Sequence, residues 1–354
     1  MFKFFKENWI LIFVLFLMAI MSIPLLYFGN LLKILSHENS GAGIIDDSKP
    51  PVIGVCLNSL METRWLKEQA AMMEEAGNQG LTIKIKVAHH SLSRQISQIA
   101  GFINSGVKVL VVNPVSDTGL KDILEKAKSN GIKIIQYDEL TAGPLDLFVS
   151  VDYREIGRTL ALSIMQNTGP GNYLIIRGPQ NSYKAGAIYQ GIRDLTNKMD
   201  IYKKSAVTVS LLSTWSADEA VNKTRIFAAR QRINAILTPN DLIAGEIVAF
   251  MKEQKQPLPG IVGAGAEVAA CQRILSGDQV ATIYVDYQLM AKIAVIHGKE
   301  LWRRQTPSVN YAINVNGRDI PTRLLPIYLI TRDNLKTLLV DQFKVYTEQD
   351  LSSE

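Results

Sequence analysis

Polar and aromatic side chains follow several apolar segments of this 354-residue chain. Carboxylates, amides and guanidinium groups exchange hydrogen bonds with hydroxyl groups, and an indole face can cover the C–H surface of a sugar ring. This mixture suits a polyhydroxylated ligand. The candidate ligand-binding residues are Asn58, Arg64, Trp65, Asp138, Glu139, Lys184, Trp215 and Asn240, with Ser59, Asn113, Asn181, Ser182 and Asp241 beside them.

Sequence motifs for catalysis, metals or cofactors are incomplete or missing. There is no Gly-x-Ser-x-Gly elbow and no Walker loop. His89 and His90 are adjacent and lack a nearby acidic pair or Cys-x-x-Cys motif, so we predict no metal site. The run Gly263-Ala264-Gly265 lacks the third glycine and the following acid of a dinucleotide loop. We therefore expect a binding protein without a cofactor, and not an enzyme.

Short apolar segments alternate with helical patterns in two successive series, and this order would position the candidate residues. Val52–Leu57 and Tyr173–Arg177 are typical of buried strands, and Ser91–Asn104 places its apolar residues on one helical face. Such strand–helix–strand steps indicate parallel sheets covered on both faces. We predict an α/β fold of two doubly wound lobes, with ligand beyond the carboxyl ends of the strands. Gly317–Leu325 is rich in turn and basic residues, and we predict a final strand after it at Ile327–Ile330.

Trp9–Leu32 is an uncharged apolar run, long enough to cross ~30 Å of hydrocarbon. It is too long for a cleaved signal peptide, and no cysteine at its end could take a lipid. Lys3 and Lys6 precede it, which favours a cytoplasmic tail. We predict a single-pass protein of the cell membrane with a cytoplasmic tail (1–8), an anchor (9–32), a flexible linker (33–50) and a body outside the cytoplasm.

The remaining composition excludes other partners. The net charge is only +5, and basic residues are scattered among nearly as many acids, so we expect no nucleic-acid binding. Cys56 and Cys271 are far apart in apolar patterns, which predicts buried thiols and no disulfide framework.

From about Pro51 to Leu351 the chain resembles the type I periplasmic sugar-binding proteins, and the xylose-binding proteins in particular. The family implies two lobes joined by a three-stranded hinge. Lobe one would comprise 51–150 plus about 283–318, and lobe two 151–282 plus about 319–348, before a tail at 349–354. The similarity includes Arg64-Trp65, Tyr137-Asp138, Gly171-Asn172-Tyr173, Trp215, Asn240-Asp241 with Gly245, and the run Asp319-Ile320-Pro321-Thr322-Arg323-Leu324-Leu325.

The resemblance also implies roles for individual residues. Trp65 and Trp215 would stack on a sugar ring, and Arg64, Asp138 and Asn240 would bind its hydroxyl groups. We expect Asp241 to cap a helix instead.

Several positions depart from the family pattern, and each changes a charge or a hydrogen-bonding group. Losing a charged partner costs ~1.5–3 kcal/mol if the ligand is unchanged. We therefore expect a ligand other than xylose, compensation by the new side chains, or a pocket that no longer binds sugar. The departures are Glu139 for Arg, Lys184 for Asn, Gly265 for Asp, Val285 for Lys, and Asn58 with Ser59 for paired acids.

Three functions remain open. In the first, a membrane-anchored receptor closes on a pentose-like monosaccharide or related small polar ligand and signals to a membrane partner, a two-component sensor histidine kinase. In the second, the protein is the solute-binding component of a sugar ABC importer and delivers ligand to a permease. In the third, it is a scaffold with an inactive pocket. A related repressor would need an N-terminal helix-turn-helix, where this chain has its apolar run.

Overall fold

The computed structural model describes residues 51–60, 63–196, 198, 203–315 and 317–352. The predicted anchor, Trp9–Leu32, and the predicted linker lie outside these residues. Within the described ranges, no helix is both long enough and apolar enough to span a membrane.

Strands and helices alternate through most of the described chain. The strands are β1 (Val52–Leu57), β2 (Thr82–Val87), β3 (Val109–Val112), β4 (Lys133–Tyr137), β5 (Leu147–Val151), β6 (Asn172–Arg177), β7 (Ala206–Leu211), β8 (Ala235–Leu237), β9 (Gly260–Val262), β10 (Ala281–Tyr284), β11 (Tyr311–Val315), β12 (Arg318–Leu325) and β13 (Tyr328–Thr331). The helices are α1 (Thr63–Asn78), α2 (Leu92–Asn104), α3 (Lys121–Ser129), α4 (Tyr153–Thr168), α5 (Tyr183–Thr196), α6 (Ala217–Ala228), α7 (Asp241–Glu253), α8 (Val268–Ser276), α9 (Tyr287–Trp302) and α10 (Glu348–Leu351), with a π-helix at Lys336–Gln342.

The strands form two sheets, one in each lobe. The first has the order β11-β12-β5-β4-β3-β1-β2, and the second has the order β13-β10-β9-β8-β6-β7. Most neighbouring strands are parallel; the exceptions are β11 beside β12 and β13 beside β10. The sheets confirm the predicted α/β fold with two parallel-sheet lobes.

Residue alternation in the central strands explains why both faces of each sheet are covered. In β1, Ile53, Val55 and Leu57 belong to the apolar cluster that contains residues of α1 and α9, whereas Cys56 belongs to the cluster on the opposite face. Successive side chains of a strand point to opposite faces, so an uninterrupted apolar run is buried twice. Cys56 and Cys271 are buried free thiols, as predicted.

The segment predicted as a turn-rich connection is instead a strand, β12, between β11 and β5. The turn residues of this segment include Pro321, which cannot donate a ladder hydrogen bond. It lies one residue before Thr322, where the parallel pairing with β5 begins. Because β12 lies in the first sheet, the last crossing between lobes follows Leu325 and not residue 318.

The other two crossings share the tripeptide Val-Asp-Tyr. Asp152 follows β5 and accepts a hydrogen bond from Glu155 N at the start of α4, at 2.9 Å. Asp286 follows β10 and likewise accepts one from Leu289 N at the start of α9, at 2.9 Å. Each aspartate caps a helix. The tyrosine after it, Tyr153 or Tyr287, is therefore the first helical residue at a lobe crossing.

Candidate ligand-binding site

A buried ion pair joins two of the predicted site residues. Arg64, in the first turn of α1, donates from Nη2 to Oδ2 of Asp138, after β4, at 2.7 Å. Their side chains are 14% and 1% exposed. Burial opposes ionisation of Arg64, but the carboxylates of Asp138 and Glu68 outweigh it and raise its pKa well above the usual value. Arg64 is therefore a permanent cation at the base of the site.

Two aromatic rings enclose the Arg64 guanidinium. Its central carbon lies 4.0 Å from the ring centroid of Trp65 and 4.0 Å from that of Tyr287. Both distances are within the range of cation–π attraction. Trp65, predicted to stack on a sugar, is only 7% exposed and stacks on Arg64 in this conformation.

Asp138 is held in an uncommon backbone conformation by contacts from both lobes. Its φ angle is +67°, a left-handed region that Asp and Asn tolerate better than most residues. The Ser150 hydroxyl donates to its carbonyl oxygen at 2.6 Å, and its own N–H donates to Val149 O at 2.9 Å. From the crossing into lobe two, the Tyr153 hydroxyl donates to Oδ1. Both carboxylate oxygens of Asp138 are thus used.

Glu68 lies one turn along α1 from Arg64 and is fully buried. Its Oε1 is 3.3 Å from Arg64 Nε, and its Oε2 accepts the Tyr137 hydroxyl at 2.5 Å. Burial, followed by repulsion from Asp138, raises the pKa of Glu68 to about 8 even though Arg64 opposes the shift. Burial thus disfavours the ionised form of this second acidic group beside Arg64.

The raised pKa of Glu68 predicts a pH-dependent stability. An unfolded glutamate is ionised above a pH of ~4.3. Between about pH 5 and pH 8 the folded state therefore binds more protons than the unfolded state, and the contribution of Glu68 to the free energy of unfolding falls as pH rises. Glu68→Gln removes this titration, so its stability relative to the wild type should increase with pH. Urea unfolding across this range measures the difference. Parallel stability profiles for the two proteins would contradict the assignment.

Lobe two supplies Lys184 and Trp215 to the same region. The Lys184 ammonium lies 5.5 Å from the ring centroid of Tyr153 and 5.6 Å from that of Trp215. Trp215 also packs on Gly178, where a Cβ would be 2.6 Å from its Cη2 atom. Gly178 thus allows the half-buried indole to approach the end of β6 closely.

Glu139 faces the other lobe. Its Oε2 accepts hydrogen bonds from the Ser182 hydroxyl at 2.7 Å and from Lys184 N at 3.2 Å. Burial and then repulsion from Asp138 raise its pKa above the usual value, against the lowering effects of Ser182 and Lys184.

Asn58 lies at the end of β1, beside Asn113 at the end of β3. Asn58 N donates to Asn113 Oδ1 at 3.1 Å. Among the described residues, no donor reaches the buried Asn58 Oδ1.

The roles of Asn240 and Asp241 differ from the predicted ones. Asn240 caps α7, because its Oδ1 accepts a hydrogen bond from Ile243 N at 2.9 Å. Asp241, predicted to be the cap, is 2% exposed and accepts hydrogen bonds from Gln279 Nε2 at 2.8 Å and Thr282 Oγ1 at 2.6 Å. The prediction for Asp241 was wrong by one position, because either side chain can cap a helix.

Four residues of this network were not among the predicted site residues. Glu68 had one sequence indication, its i, i+4 spacing from Arg64 on a helical pattern. Tyr137 is the last residue of a predicted strand. Tyr153 and Tyr287 follow the repeated Val-Asp pair, which is the indication that could have identified them.

An open groove of about 640 Å³ lies beyond the carboxyl ends of β3, β6 and β7, and none of the eight predicted ligand-binding residues lines it. It is bounded by both lobes. Asp117 follows β3 in lobe one, whereas the other lining residues come from lobe two, after β6 or at and after the end of β7. These residues combine a carboxylate, amides, a hydroxyl and leucine side chains. The lining comprises Asp117, Gln180, Asn181, Leu211, Leu212 and Ser213.

Two doubly wound lobes with polar groups at the carboxyl ends of their strands define a class of proteins that bind small ligands between the lobes. The chain belongs to the family described as periplasmic binding protein domain, whose model matches residues 53–303. It is 28% identical over 309 residues to the D-xylose-binding periplasmic protein of Escherichia coli K12, covering 85% of this chain and 93% of that protein.

Solved structures show the same fold. An ABC transporter solute-binding protein from Clostridium phytofermentans with bound β-D-glucose has a TM-score of 0.77 at 23% identity, covering 85% of this chain and all (100%) of that one. The fructose-binding periplasmic domain of a hybrid two-component system has a TM-score of 0.73 at 18% identity, covering 83% of this chain and 95% of that one.

Proposed function

We propose that this protein is an extracytoplasmic receptor that binds a monosaccharide or related small polyol between its lobes, without changing the ligand chemically. The main support is that polar and aromatic side chains of both lobes meet at the carboxyl ends of the strands, where Lys184 of lobe two lies 5.5 Å from the Tyr153 ring and Tyr153 binds Asp138 of lobe one. A ligand that contacts both lobes favours the closed state through its differential affinity. The D-xylose-binding protein of E. coli supports sugar as the ligand class.

The ligand we propose is not xylose itself. Arg64 and Asp138 satisfy each other at the base of the site, and Glu139 is engaged by Ser182. Where the resemblance implies Arg and Asn, this chain has Glu139 and Lys184, so the charges near the proposed ligand are rearranged. Asn58, Lys184 and Trp215 are the side chains that we propose contact the ligand, with Asn240 contributing its amide N–H groups.

A thermal-shift panel of pentoses, hexoses and polyols on the purified full-length protein tests this proposal. A ligand at about 100 times its Kd adds ~2.7 kcal/mol of stability by mass action. We expect at least one compound to raise the Tm of the wild type and to raise the Tm of Trp215→Ala by a smaller amount. Val207→Ala, at an exposed position on β7, is the matched control and should respond as the wild type does.

The panel also separates the alternatives. If no compound raises the Tm, sugar binding is wrong and the scaffold function is favoured. If xylose alone gives a large shift, the argument from the altered side chains is wrong.

We further propose that Trp9–Leu32 anchors the receptor in the cell membrane and that its partner is a sensor histidine kinase. The fructose-binding domain of a hybrid two-component system, with the same fold, supports this partner. The alternative is delivery to an ABC permease, supported by the C. phytofermentans solute-binding protein. Genes for a kinase and response regulator beside this one would favour signalling, and genes for a permease and ATPase would favour import.

Releasing the body from the membrane tests the role of the anchor. We expect a chain whose residues 1–40 are exchanged for a cleavable signal peptide to keep ligand binding but to lose the cellular response. A secreted chain that is fully functional in cells would show that the anchor is incidental.

A further inference from the structure

The amino ends of the lobe-one strands lie side by side where the chain enters the lobe. Thr82 N donates to Pro51 O at 3.3 Å, which places the start of β2 beside that of β1. Lys108 N donates to Val52 O at 3.1 Å, and Lys133 N donates to Lys108 O at 3.0 Å, which adds the starts of β3 and β4. These strands are parallel, so this edge of the sheet is opposite their carboxyl ends.

Cations surround this entry point. Lys299 Nζ donates to Gln79 O at 2.9 Å, so the end of α9 lies beside the turn that precedes β2. The end of α3 also reaches this edge, since Lys133 follows it and begins β4. We call this surface the basic edge of lobe one, and it comprises Lys108, Lys126, Lys128, Lys133, Lys299, Arg303 and Arg304.

The basic edge carries more positive charge than the neighbouring carboxylates balance. Asp146 pairs with Lys128 at 2.5 Å. In the described part of the chain, no carboxylate forms an ion pair with Lys108, Lys126 or Arg303, and all three side chains belong to exposed residues. The edge is therefore a positively charged surface in contact with solvent.

Helix polarity accounts for part of this charge, because cations near a helix C-terminus complement its dipole. Lys126 and Lys128 lie in the last turn of α3. The amino edge of lobe two is basic as well, with the exposed residues Arg230 and Arg232 between the end of α6 and the start of β8. Charge alone thus does not distinguish the two edges, and the position of the chain entry does.

The chain that enters the basic edge is the one that leads from the predicted anchor. About 18 residues separate Leu32 from Pro51, and an extended chain spans at most ~3.6 Å per residue, so this linker reaches at most ~70 Å. A flexible linker of that length spans only ~25 Å on average. A tether of this length gives the surface around Pro51 a high effective concentration at the membrane.

We propose that the basic edge of lobe one docks on the anionic lipid headgroups of the membrane that holds the anchor. The inference rests on the anchor in the proposed function and is independent of the ligand. An anionic leaflet attracts basic residues within a short, salt-dependent range. Trp302, half-buried beside Arg303, adds an indole, a side chain that favours the headgroup region. Docking in this orientation turns the carboxyl ends of the lobe-one strands away from the lipid.

Energy transfer to labelled lipid tests the docking in the full-length protein. Asn104→Cys, at an exposed position at the end of α2, carries the donor fluorophore. Cys56 and Cys271 are both 0% exposed and do not compete for the label in the folded protein. The protein is reconstituted into phosphatidylcholine vesicles with or without phosphatidylglycerol, each with an acceptor on a trace of the headgroups. We expect about twofold more transfer in the anionic vesicles, and we expect high salt to abolish the difference.

Two charge-reversal variants locate the docking surface. Lys108→Glu/Arg303→Glu should lose the difference between the two lipids. Arg230→Glu/Arg232→Glu is the matched control, because it changes the net charge by the same amount at the amino edge of lobe two, and it should keep the difference. If the first variant does not fold, Lys108→Glu alone should reduce the difference.

Equal transfer in neutral and anionic vesicles overturns the proposal. An equal loss in both charge-reversal variants also overturns it, since net charge and not the basic edge would then govern the distance. An alkaline wash of the vesicles separates this proposal from the proposed anchor. A chain that the wash extracts refutes the anchor and the docking together, whereas a chain that resists the wash but shows equal transfer refutes the docking alone.

Discussion

Replacing Gly191 with alanine is expected to lower the free energy of unfolding by ~3 kcal/mol, the upper part of the range for overpacking. A Cβ at Gly191 in α5 would be 1.8 Å from the carbonyl oxygen of Arg154 in α4. The contact is reciprocal, because a Cβ at Gly157 would be 1.9 Å from the carbonyl oxygen of Ile188. Backbone atoms cannot rotate away, so the two helices must separate.

Gly186→Ala is the matched control, since Gly186 lies in the same helix and its Cβ would meet nothing within 4 Å. There, alanine should raise stability by ~0.4–1 kcal/mol by restricting the unfolded chain. Urea unfolding of both variants measures the difference. Equal stabilities would show that α4 and α5 do not pack at these glycines.

The α4–α5 contact also has a consequence for the site. Helix α4 begins at Tyr153, whose hydroxyl reaches Asp138, and α5 begins at Tyr183, directly after Ser182, which binds Glu139. Separating these helices changes the spacing of two groups that contact lobe one. Gly191→Ala should therefore also weaken any ligand binding found in the panel, whereas Gly186→Ala should not.

How far the sequence predicts this fold depends on how strongly each element shows its periodicity. The central strands are apolar throughout because both faces are covered, and the sequence predicts them well. The hairpin of β11 and β12 was not predicted, because Tyr311–Val315 is largely exposed and Pro321 resembles a loop residue. Helix α9 was not predicted either. It packs on both α1 and the strands β3, β4 and β5, so its apolar residues do not form one narrow stripe.

Sequence reasoning also brought together residues that the structure places in contact. Arg64, Trp65 and Asp138 were predicted to bind ligand at the strand ends; Arg64 contacts the other two there, and their ligand-binding roles stay a prediction. The sequence alone does not show which charged side chains pair with each other. Glu139 looked like a ligand contact, but its carboxylate binds lobe two, and only the positions of both lobes reveal this.

Replacing Asp138 with asparagine is expected to be among the most damaging single changes in the site, lowering the free energy of unfolding by ~3–5 kcal/mol. The Arg64 side chain is 14% exposed and its 2.7 Å partner would lose its charge. Asparagine has nearly the same shape and tolerates a φ of +67°, so backbone strain adds little. The loss therefore measures the cost of leaving Arg64 with Glu68, 3.3 Å away and fully buried, as its remaining acidic neighbour.

Two comparisons isolate that charge. Glu125→Ala breaks an exposed ion pair in which the Lys121 side chain is 60% exposed and the Glu125 side chain 56%. This change should lower the free energy of unfolding by less than ~1 kcal/mol. Adding Arg64→Met to Asp138→Asn removes the cation as well, and the double variant should regain much of the stability. Urea unfolding of the three proteins beside the wild type provides the values. A double variant no more stable than Asp138→Asn would contradict a charge-based cost.

The same variants separate structural support from ligand contact. If Arg64 and Asp138 only brace the base of the site, the double variant should recover stability and also bind the compound that shifts the wild type. If they bind ligand hydroxyl groups as well, the double variant should be stable but should lose affinity, because two charge-assisted partners are gone at ~1.5–3 kcal/mol each. Calorimetric titration at a temperature where both proteins are folded distinguishes these results. Since Arg64 is enclosed by Trp65 and Tyr287 and Asp138 is 1% exposed, we expect the first result. A loss of affinity would show that the lobes open this network to receive the ligand.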